Sequence, residues 1–300
     1  MKTPPRVLPA LITPFTTDGQ LDLAGFRSNL KYLSGRGVSG FLIGGSTGEG
    51  PYLEPGERAT LIGAARDALG AEPFLLCGVA GESVRMAQAQ VFEALESGAD
   101  AALAITPTSL IRGNHAAVAR FYRLLADDTT LPLMLYSVPR VTGYELPTEQ
   151  VLELAEHPSI VGMKDSGGRP VRIQELVRNV AQPFFMFAGA SNALAASMAA
   201  GGYGAITASA NYASELVTKI VESSDTSQPK ADAYQLELSG IVKIVEKFGL
   251  PGTKAAAKAA GLEPGISRPP LVALSPFDAR ELQRKVTESL AAVSRATLTG

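Results

Sequence analysis

The sequence predicts an α/β protein, a (β/α)8 TIM barrel followed by a C-terminal helical domain. Eight short apolar runs alternate with amphipathic helical stretches along most of the chain. Each run is continuously apolar, which is typical of parallel strands that are covered on both faces. After Val221 the pattern becomes helical without further strands. A doubly wound open sheet is the alternative, but such a sheet seldom needs eight regular units.

The elements follow in order along the chain. The predicted strands are VLPALIT (7–13), GFLIGG (40–45), FLLCGVA (74–80), AALAITP (101–107), LPLMLYSVP (131–139), IVGMKDS (160–166), FFMFAGA (184–190) and YGAITASA (203–210). The predicted barrel helices are 23–33, 55–69, 83–95, 116–125, 148–156, 170–180, 192–200 and 213–221. Further helices are predicted at 231–248, 253–260 and 278–292. We therefore place the barrel, with the site, at residues 1–224 and the helical domain at 225–300.

Composition excludes several classes of function. The net charge of −2, with both signs mixed, gives no basic patch for nucleic acid or membrane. The single cysteine, Cys77, excludes an internal disulfide and fits a reducing, cytoplasmic compartment. Prolines interrupt the N-terminal apolar stretch, so we expect neither a signal peptide nor a membrane span. The two histidines, His115 and His157, stand apart, which argues against a transition-metal site.

Lys164 is the most informative residue of the sequence. It is the only lysine between Lys31 and Lys219, and it follows an apolar run in the sixth predicted strand. Burying an ammonium group is costly unless the group is paired or neutral. In the alternative interpretation, Lys164 sits at the strand's end and either reaches solvent or pairs with Asp165.

Chemistry in such barrels lies at the carboxyl ends of the strands, where Lys164 and Ser166 share one strand face. Apolar walls favour the neutral amine, a nucleophile suited to Schiff-base formation with a ketone or aldehyde. Tyr136 ends the neighbouring strand and is a candidate for moving protons on the carbinolamine oxygen. Alternatively, Tyr136 is a rim aromatic with its hydroxyl in water.

The glycine-rich turn GGSTGEG (44–50) follows the second strand. Its backbone N–H groups and the hydroxyls of Ser46 and Thr47 suit a carboxylate or a phosphate. It is equally compatible with an ordinary tight turn capped by these hydroxyls. The turn lacks a P-loop ending, and no Arg or Lys stands beside the glycines of AGASN (188–192) and AGGYG (200–204) near strands seven and eight, so we expect an unphosphorylated acid. For Glu49 we favour a role that ties the turn together over that of general base.

Three motifs in this order, GSTGE, YSVPxxTG and GMKDSGG, identify a resemblance. The sequence resembles the N-acetylneuraminate lyase and dihydrodipicolinate synthase superfamily of lysine-dependent pyruvate aldolases over nearly its whole length. In the fifth- and sixth-strand motifs it is most similar to 4-hydroxy-2-oxoglutarate aldolases and 2-keto-3-deoxy-sugar-acid aldolases and dehydratases. The resemblance implies a homotetramer of two tight dimers and a reaction that needs no metal or organic cofactor.

The resemblance also implies the site residues. They are Lys164 for the Schiff base with pyruvate or another 2-oxo acid, Tyr136 as acid/base, Ser46 and Thr47 for the carboxylate and proton relay, Ser166 for substrate hydroxyls, and the backbone at Gly189 and Ile206 as pocket lining.

Two departures separate this chain from the dihydrodipicolinate synthases that it resembles. Those enzymes carry an arginine where this chain has Val141, and we expect the side chain of Arg140 to point elsewhere. They also carry a tyrosine pair after the fourth strand, one member of which reaches into a partner subunit. Here Thr108, Ser109 and Leu110 occupy that region, so the proton relay must differ or be shorter.

The sequence therefore predicts a Schiff-base lyase that cleaves or forms a 4-hydroxy-2-oxo acid, with pyruvate and an aldehyde such as glyoxylate or a sugar aldehyde as products. The alternatives are a dihydrodipicolinate synthase, which uses aspartate semialdehyde, and a deoxy-keto-sugar-acid dehydratase. A further alternative is a pyruvate- or sugar-acid-binding protein without catalysis; the retention of Lys164, Tyr136 and Thr47 argues against it.

Overall fold

The computed structural model describes residues 2–181 and 183–298, and eight parallel strands form its centre. The strands are β1 (Val7–Pro9), β2 (Gly40–Ile43), β3 (Phe74–Val79), β4 (Ala101–Ile105), β5 (Leu133–Ser137), β6 (Ile160–Asp165), β7 (Phe185–Ala188) and β8 (Gly204–Thr207). Their order is β1-β8-β7-β6-β5-β4-β3-β2. A parallel bridge between Ala10 and Leu42 joins the two ends of this order, and Leu11 N donates to Leu42 O at 2.9 Å. The predicted (β/α)8 barrel is confirmed.

Helices cover the outside of the barrel and continue beyond it. They are α1 (Leu23–Ser34), α2 (Glu57–Leu69), α3 (Val84–Glu96), α4 (His115–Asp127), α5 (Pro139–Thr142), α6 (Thr148–Ala155), α7 (Pro170–Asn179), α8 (Leu194–Ala199), α9 (Ser214–Ser223), α10 (Gln228–Val245), α11 (Gly249–Ala259) and α12 (Pro276–Leu298). Among the α-helices of the described residues, the short α5 is the one that the sequence did not predict, because the prediction extended the fifth strand through residue 139.

Local sequence sets several helix starts. The side chains of Asp22, Ser83 and Asn114 each accept a hydrogen bond from the backbone N–H three residues on, which satisfies a free donor of the first turn. Pro170 begins α7, where a missing N–H costs nothing. These caps fix where each helix leaves its preceding loop.

The strands separate two apolar layers. Residues such as Leu8, Leu42, Met134 and Phe187 face the barrel interior and pack there as one cluster. Alternate strand positions face outward into a larger cluster shared with the helices. Both faces of the strands are buried, which explains the continuous apolar runs of the sequence.

The C-terminal helices pack back onto the barrel. Asn29 in α1 exchanges two hydrogen bonds with the backbone of Glu263, each 2.7 Å long. Ile266 forms an antiparallel bridge with Phe15 beyond β1. The division of the chain at residue 224 stays a prediction, and residues 299–300 of the predicted second domain lie outside the described residues. Within the described ranges, no helix is both long and apolar enough to cross a bilayer.

Candidate active site

Lys164 points into the interior of the protein and not to solvent. Lys164 lies in β6 and is only 4% exposed. In the parallel pairing of β5 with β6, it lies opposite Tyr136. Its Nζ lies 4.5 Å from the centroid of the Tyr136 ring. Among the ion pairs of the described residues, none involves Lys164. A buried amine beside a phenol is therefore the central feature of the site.

Asp165 does not pair with Lys164, because consecutive residues of a strand face opposite sides. Its carboxylate lies on the outer face of β6, where Oδ2 accepts from Nε of Arg172 at 2.9 Å; both side chains are buried. Oδ1 accepts from Gly167 N at 2.8 Å. Arg172 also donates to Leu146 O and to Thr148 Oγ1. Asp165 thus anchors the end of the strand that carries Lys164.

A cleft of about 1120 Å³, measured with its solvent-open space, lies over Lys164 at the carboxyl ends of the strands. Most of the predicted site residues line it: Ser46, Thr47, Tyr136, Lys164, Ser166 and Gly189. The cleft lining does not include Ile206, whose side chain is fully buried in the interior cluster; Ala208, two residues on, lines the cleft. Six of the seven predicted residues are thus brought together, and their chemical roles stay predictions.

Gly189 lies too close to its neighbours for any side chain. A Cβ there would come within 2.0 Å of Ser166 Oγ and 3.0 Å of Lys164 Cε. Gly189 N also donates to Asp165 O at 2.7 Å, which holds β7 tightly against the end of β6. The absence of a side chain at residue 189 leaves room for the lysine and for the serine hydroxyl.

The buried hydroxyls of Thr106 and Tyr122 lie next to the backbone carbonyl of Tyr136. Thr106 Oγ1 lies 3.3 Å from Tyr136 O and 3.0 Å from the hydroxyl of Tyr122. Burial raises the pKa of Tyr122 well above its usual range, and the hydrogen bond between Tyr122 and Thr106 opposes this shift only in part. Tyr122 therefore stays protonated and acts as a support for the strand that carries Tyr136.

Arg140 lies at the cleft, contrary to the sequence-based expectation. Both Arg140 and Val141 line it, because residues 139–142 form the helical turn α5 and not an extended strand. In a helical turn, side chains one residue apart do not point to opposite sides. The guanidinium is 80% exposed and lies 3.9 Å from Glu246 Oε2, which also lines the cleft from just beyond α10. An exposed cation thus lies at the cleft that Lys164 also lines.

The segment after β4 carries no tyrosine, and Glu82 holds it in place. The carboxylate accepts hydrogen bonds from the backbone N–H and the hydroxyl of both Thr108 and Ser109, at 2.7–3.1 Å. Burial would raise the pKa of Glu82, but these hydrogen bonds outweigh it and hold the pKa below its usual value. Leu110, next along, is 96% exposed.

Sequence reasoning missed several polar residues of the cleft. Ser191 and Asn192 line it, and Ser191 Oγ accepts a hydrogen bond from Ser209 Oγ at 2.9 Å. The same Ser209 hydroxyl lies 3.0 Å from Thr207 Oγ1. These residues belong to the polar ends AGASN and TASAN of strands seven and eight, but the sequence does not show that their hydroxyls form one hydrogen-bonded chain between the two strands. The sequence did not indicate Glu246 as a site residue, because it lies at the end of a predicted helix (231–248), where a charged residue is expected to face solvent.

The fold and the site together define a class of protein. A buried lysine and a tyrosine at the carboxyl-end cleft of a (β/α)8 barrel are the features of enzymes that work through a lysine Schiff base. Comparison with known proteins narrows this class to a family.

A model of the Dihydrodipicolinate synthetase family matches residues 3–289, and the chain belongs to this family of Schiff-base pyruvate aldolases. The chain is 33% identical over 270 residues to 4-hydroxy-tetrahydrodipicolinate synthase 1 of Streptomyces coelicolor, with 89% of this chain and 88% of the relative covered. The superfamily resemblance and the assignment as an enzyme are confirmed.

Two solved structures with bound pyruvate are similar to the chain along almost its whole length. YagE of Escherichia coli K12, in complex with pyruvate, superposes with a TM-score of 0.88 at 27% identity, covering 94% of this chain and 97% of YagE. The chloride-inhibited dihydrodipicolinate synthase of Acinetobacter baumannii, complexed with pyruvate, gives 0.88 at 26% identity and covers 96% and 99%.

Proposed function

We propose that the protein forms a Schiff base between Lys164 and pyruvate and couples it to an aldehyde by making or breaking a carbon–carbon bond. The single observation that carries this proposal is the buried Lys164 amine, which faces the cleft beside Tyr136 and has no carboxylate partner among the described ion pairs. The pyruvate complexes of YagE and of the Acinetobacter synthase support pyruvate as the 2-oxo acid.

In the proposed reaction, Lys164 Nζ attacks C2 of pyruvate, and the carbinolamine oxygen takes up a proton and leaves as water. The resulting iminium draws electrons from C3, which loses a proton and becomes the enamine carbon. C3 then bonds to the aldehyde carbon, and the aldehyde oxygen takes up a proton. Water finally releases the product from the lysine. Tyr136, with Thr47, shuttles the protons, while Ser46 and Thr47 hold the carboxylate.

For the aldehyde we propose aspartate semialdehyde. Three relatives that are 32–33% identical to the chain are 4-hydroxy-tetrahydrodipicolinate synthases, which supports this assignment. Arg140 supports this assignment, because its guanidinium lies at the cleft and suits the carboxylate of that aldehyde. Arg140 thus provides a cation at the cleft, although Val141 stands where the synthases carry their arginine.

A second candidate is the cleavage of a 4-hydroxy-2-oxo acid to pyruvate and an aldehyde such as glyoxylate. Two observations favour it. Ser166 lines the cleft and is placed to contact a substrate hydroxyl, and the segment after β4 carries Thr108, Ser109 and Leu110 where the synthases have tyrosines. A deoxy-keto-sugar-acid dehydratase would share the Schiff base but release water in place of an aldehyde.

Borohydride reduction in the presence of pyruvate, followed by peptide mass mapping, tests the proposal. We expect the reduced pyruvate adduct on the peptide that contains Lys164 and none on that peptide in Lys164→Met. A folded, unlabelled protein would refute the Schiff base. A substrate panel then separates the reactions: aspartate semialdehyde with pyruvate, 4-hydroxy-2-oxoglutarate, and a 2-keto-3-deoxy sugar acid. Pyruvate labelling without turnover of any of them would indicate a binding protein.

A further inference from the structure

A buried ion pair lies directly behind the turn that carries Ser46 and Thr47. Lys254 of α11 places its Nζ 2.6 Å from Glu49 Oε1, and both side chains are almost completely buried. Glu49 Oε2 accepts from Arg268 N at 2.8 Å. Two residues from beyond the barrel strands therefore hold one carboxylate of the glycine-rich turn.

The backbone of Glu49 needs this support. Among the described residues it is the one non-glycine with a positive φ, 58°, which is an unfavourable conformation for a residue with a side chain. Gly50, next along, would place a Cβ 2.0 Å from Gly44 O. The turn is thus tightly packed, and the Glu49 carboxylate holds it in place through its contacts with Lys254 and with the backbone N–H of Arg268.

The turn transmits this support to the residues that face the cleft. Glu49 N donates to Ser46 O at 3.2 Å, so Glu49 closes the turn that contains Ser46 and Thr47. Lys254 Nζ also donates to Thr13 O at 2.9 Å, and Thr13 Oγ1 donates to Gly48 O at 2.6 Å. Lys254 therefore contacts the turn by two routes, through Glu49 and through Thr13.

Burying the charged Lys254 ammonium group carries a desolvation cost. Burial lowers the pKa of Lys254, and the negative charge of Glu49 opposes this shift. Glu49 and Lys254 are both outside the cleft lining, so neither touches a ligand there. A charge pair that touches no ligand but holds the carboxylate-binding turn indicates a positioning role.

We propose that Lys254 is a positioning residue: acting through Glu49, it fixes Ser46 and Thr47 and thereby sets the affinity for the carboxylate of the 2-oxo acid. This inference rests on the proposed function, since it assumes that Lys164 binds pyruvate. It makes the C-terminal helices part of substrate recognition and not only of packing.

The test compares a carbonyl compound that has a carboxylate with one that lacks it. Borohydride trapping at the Lys164 peptide is measured against pyruvate and against propanal. For Lys254→Met we expect the pyruvate concentration for half-maximal trapping to rise about 10- to 100-fold, the range expected when a charge-assisted contact is lost. The propanal concentration for half-maximal trapping should not change, because propanal has no carboxylate for the turn to bind; a slower proton relay through Thr47 would alter the trapping rate and not this concentration.

Two further variants make the result decisive. Lys258→Met, one helical turn along α11 at an exposed position, is the matched control and should behave as the unmodified protein. Glu49→Gln/Lys254→Met removes both charges, so a folded protein is expected even if the single variant unfolds. It should show the same selective loss of pyruvate trapping.

An equal rise of the half-maximal concentration for pyruvate and for propanal, or no rise of either in the folded double variant, would overturn the positioning role. If pyruvate fails to label Lys164 in the unmodified protein, the proposed function falls and this inference falls with it. If the unmodified protein is labelled and the variants keep their pyruvate affinity, only the inference about Lys254 is wrong.

Discussion

Tyr136 is the residue whose hydroxyl the proposed chemistry needs most. Its ring lies beside the Lys164 amine, and it lines the same cleft. We expect Tyr136→Phe to lower turnover by roughly 10²–10⁴-fold, the usual contribution of a positioned acid/base group. Steady-state kinetics with pyruvate measures this. Tyr203→Phe removes a hydroxyl that donates to Pro4 O, away from the cleft, and should leave turnover unchanged. Full activity in Tyr136→Phe would assign the proton transfers elsewhere.

Cys77 gives a second prediction at the residue scale. The thiol is completely buried, and burial raises its pKa to about 12, which the positive charge of Arg58 opposes only in part. Because the thiolate is the reactive form, the folded protein should resist a disulfide reagent from about pH 7 to about pH 9. One thiol should react once the protein is unfolded in guanidinium. Labelling of the native protein at pH 7 as fast as that of the unfolded chain, or at a rate that levels off below pH 9, would contradict the prediction.

At the scale of the element, the end of β6 depends on the ion pair of Asp165 with Arg172. Asp165→Asn leaves a buried guanidinium without its carboxylate, which we expect to lower the free energy of unfolding by about 3–5 kcal/mol. Urea denaturation followed by circular dichroism measures it. Asp165→Asn/Arg172→Met, which removes both charges, should recover part of the loss. A change below about 1 kcal/mol in the single variant would mean that the pair is replaceable, as exposed pairs are.

The fifth strand shows where element prediction from sequence fails. The apolar run LPLMLYSVP predicts a strand through residue 139, but β5 ends at Ser137 and α5 begins at Pro139. Proline is well suited to the first turn of a helix, and the short helix turns Arg140 toward the cleft. A boundary error of two residues thus misplaced the one arginine that bears on the choice of aldehyde.

At the scale of the whole molecule, we expect the chains to assemble as dimers or tetramers, as the resemblance to the superfamily implies. Exposed apolar side chains such as Leu110 and Phe277, which are 96% and 71% exposed, are consistent with contacts between copies. Sedimentation equilibrium over a series of protein concentrations should give the mass of two or four chains. A single-chain mass at every concentration would refute the prediction.

The sequence alone determined the barrel, since parallel strands buried on both faces leave continuous apolar runs that no surface element imitates. It also singled out Lys164 and Tyr136, because a lone lysine in an apolar strand stands out against its background. Only the tertiary structure decided that Asp165 pairs with Arg172 and that Arg140 reaches the cleft. It alone joined Lys254 to Glu49, 205 residues apart in the chain. Polar contacts between distant segments depend on the direction of side chains and on how the chain packs. Neither produces a hydrophobic periodicity that can be recognised in the sequence.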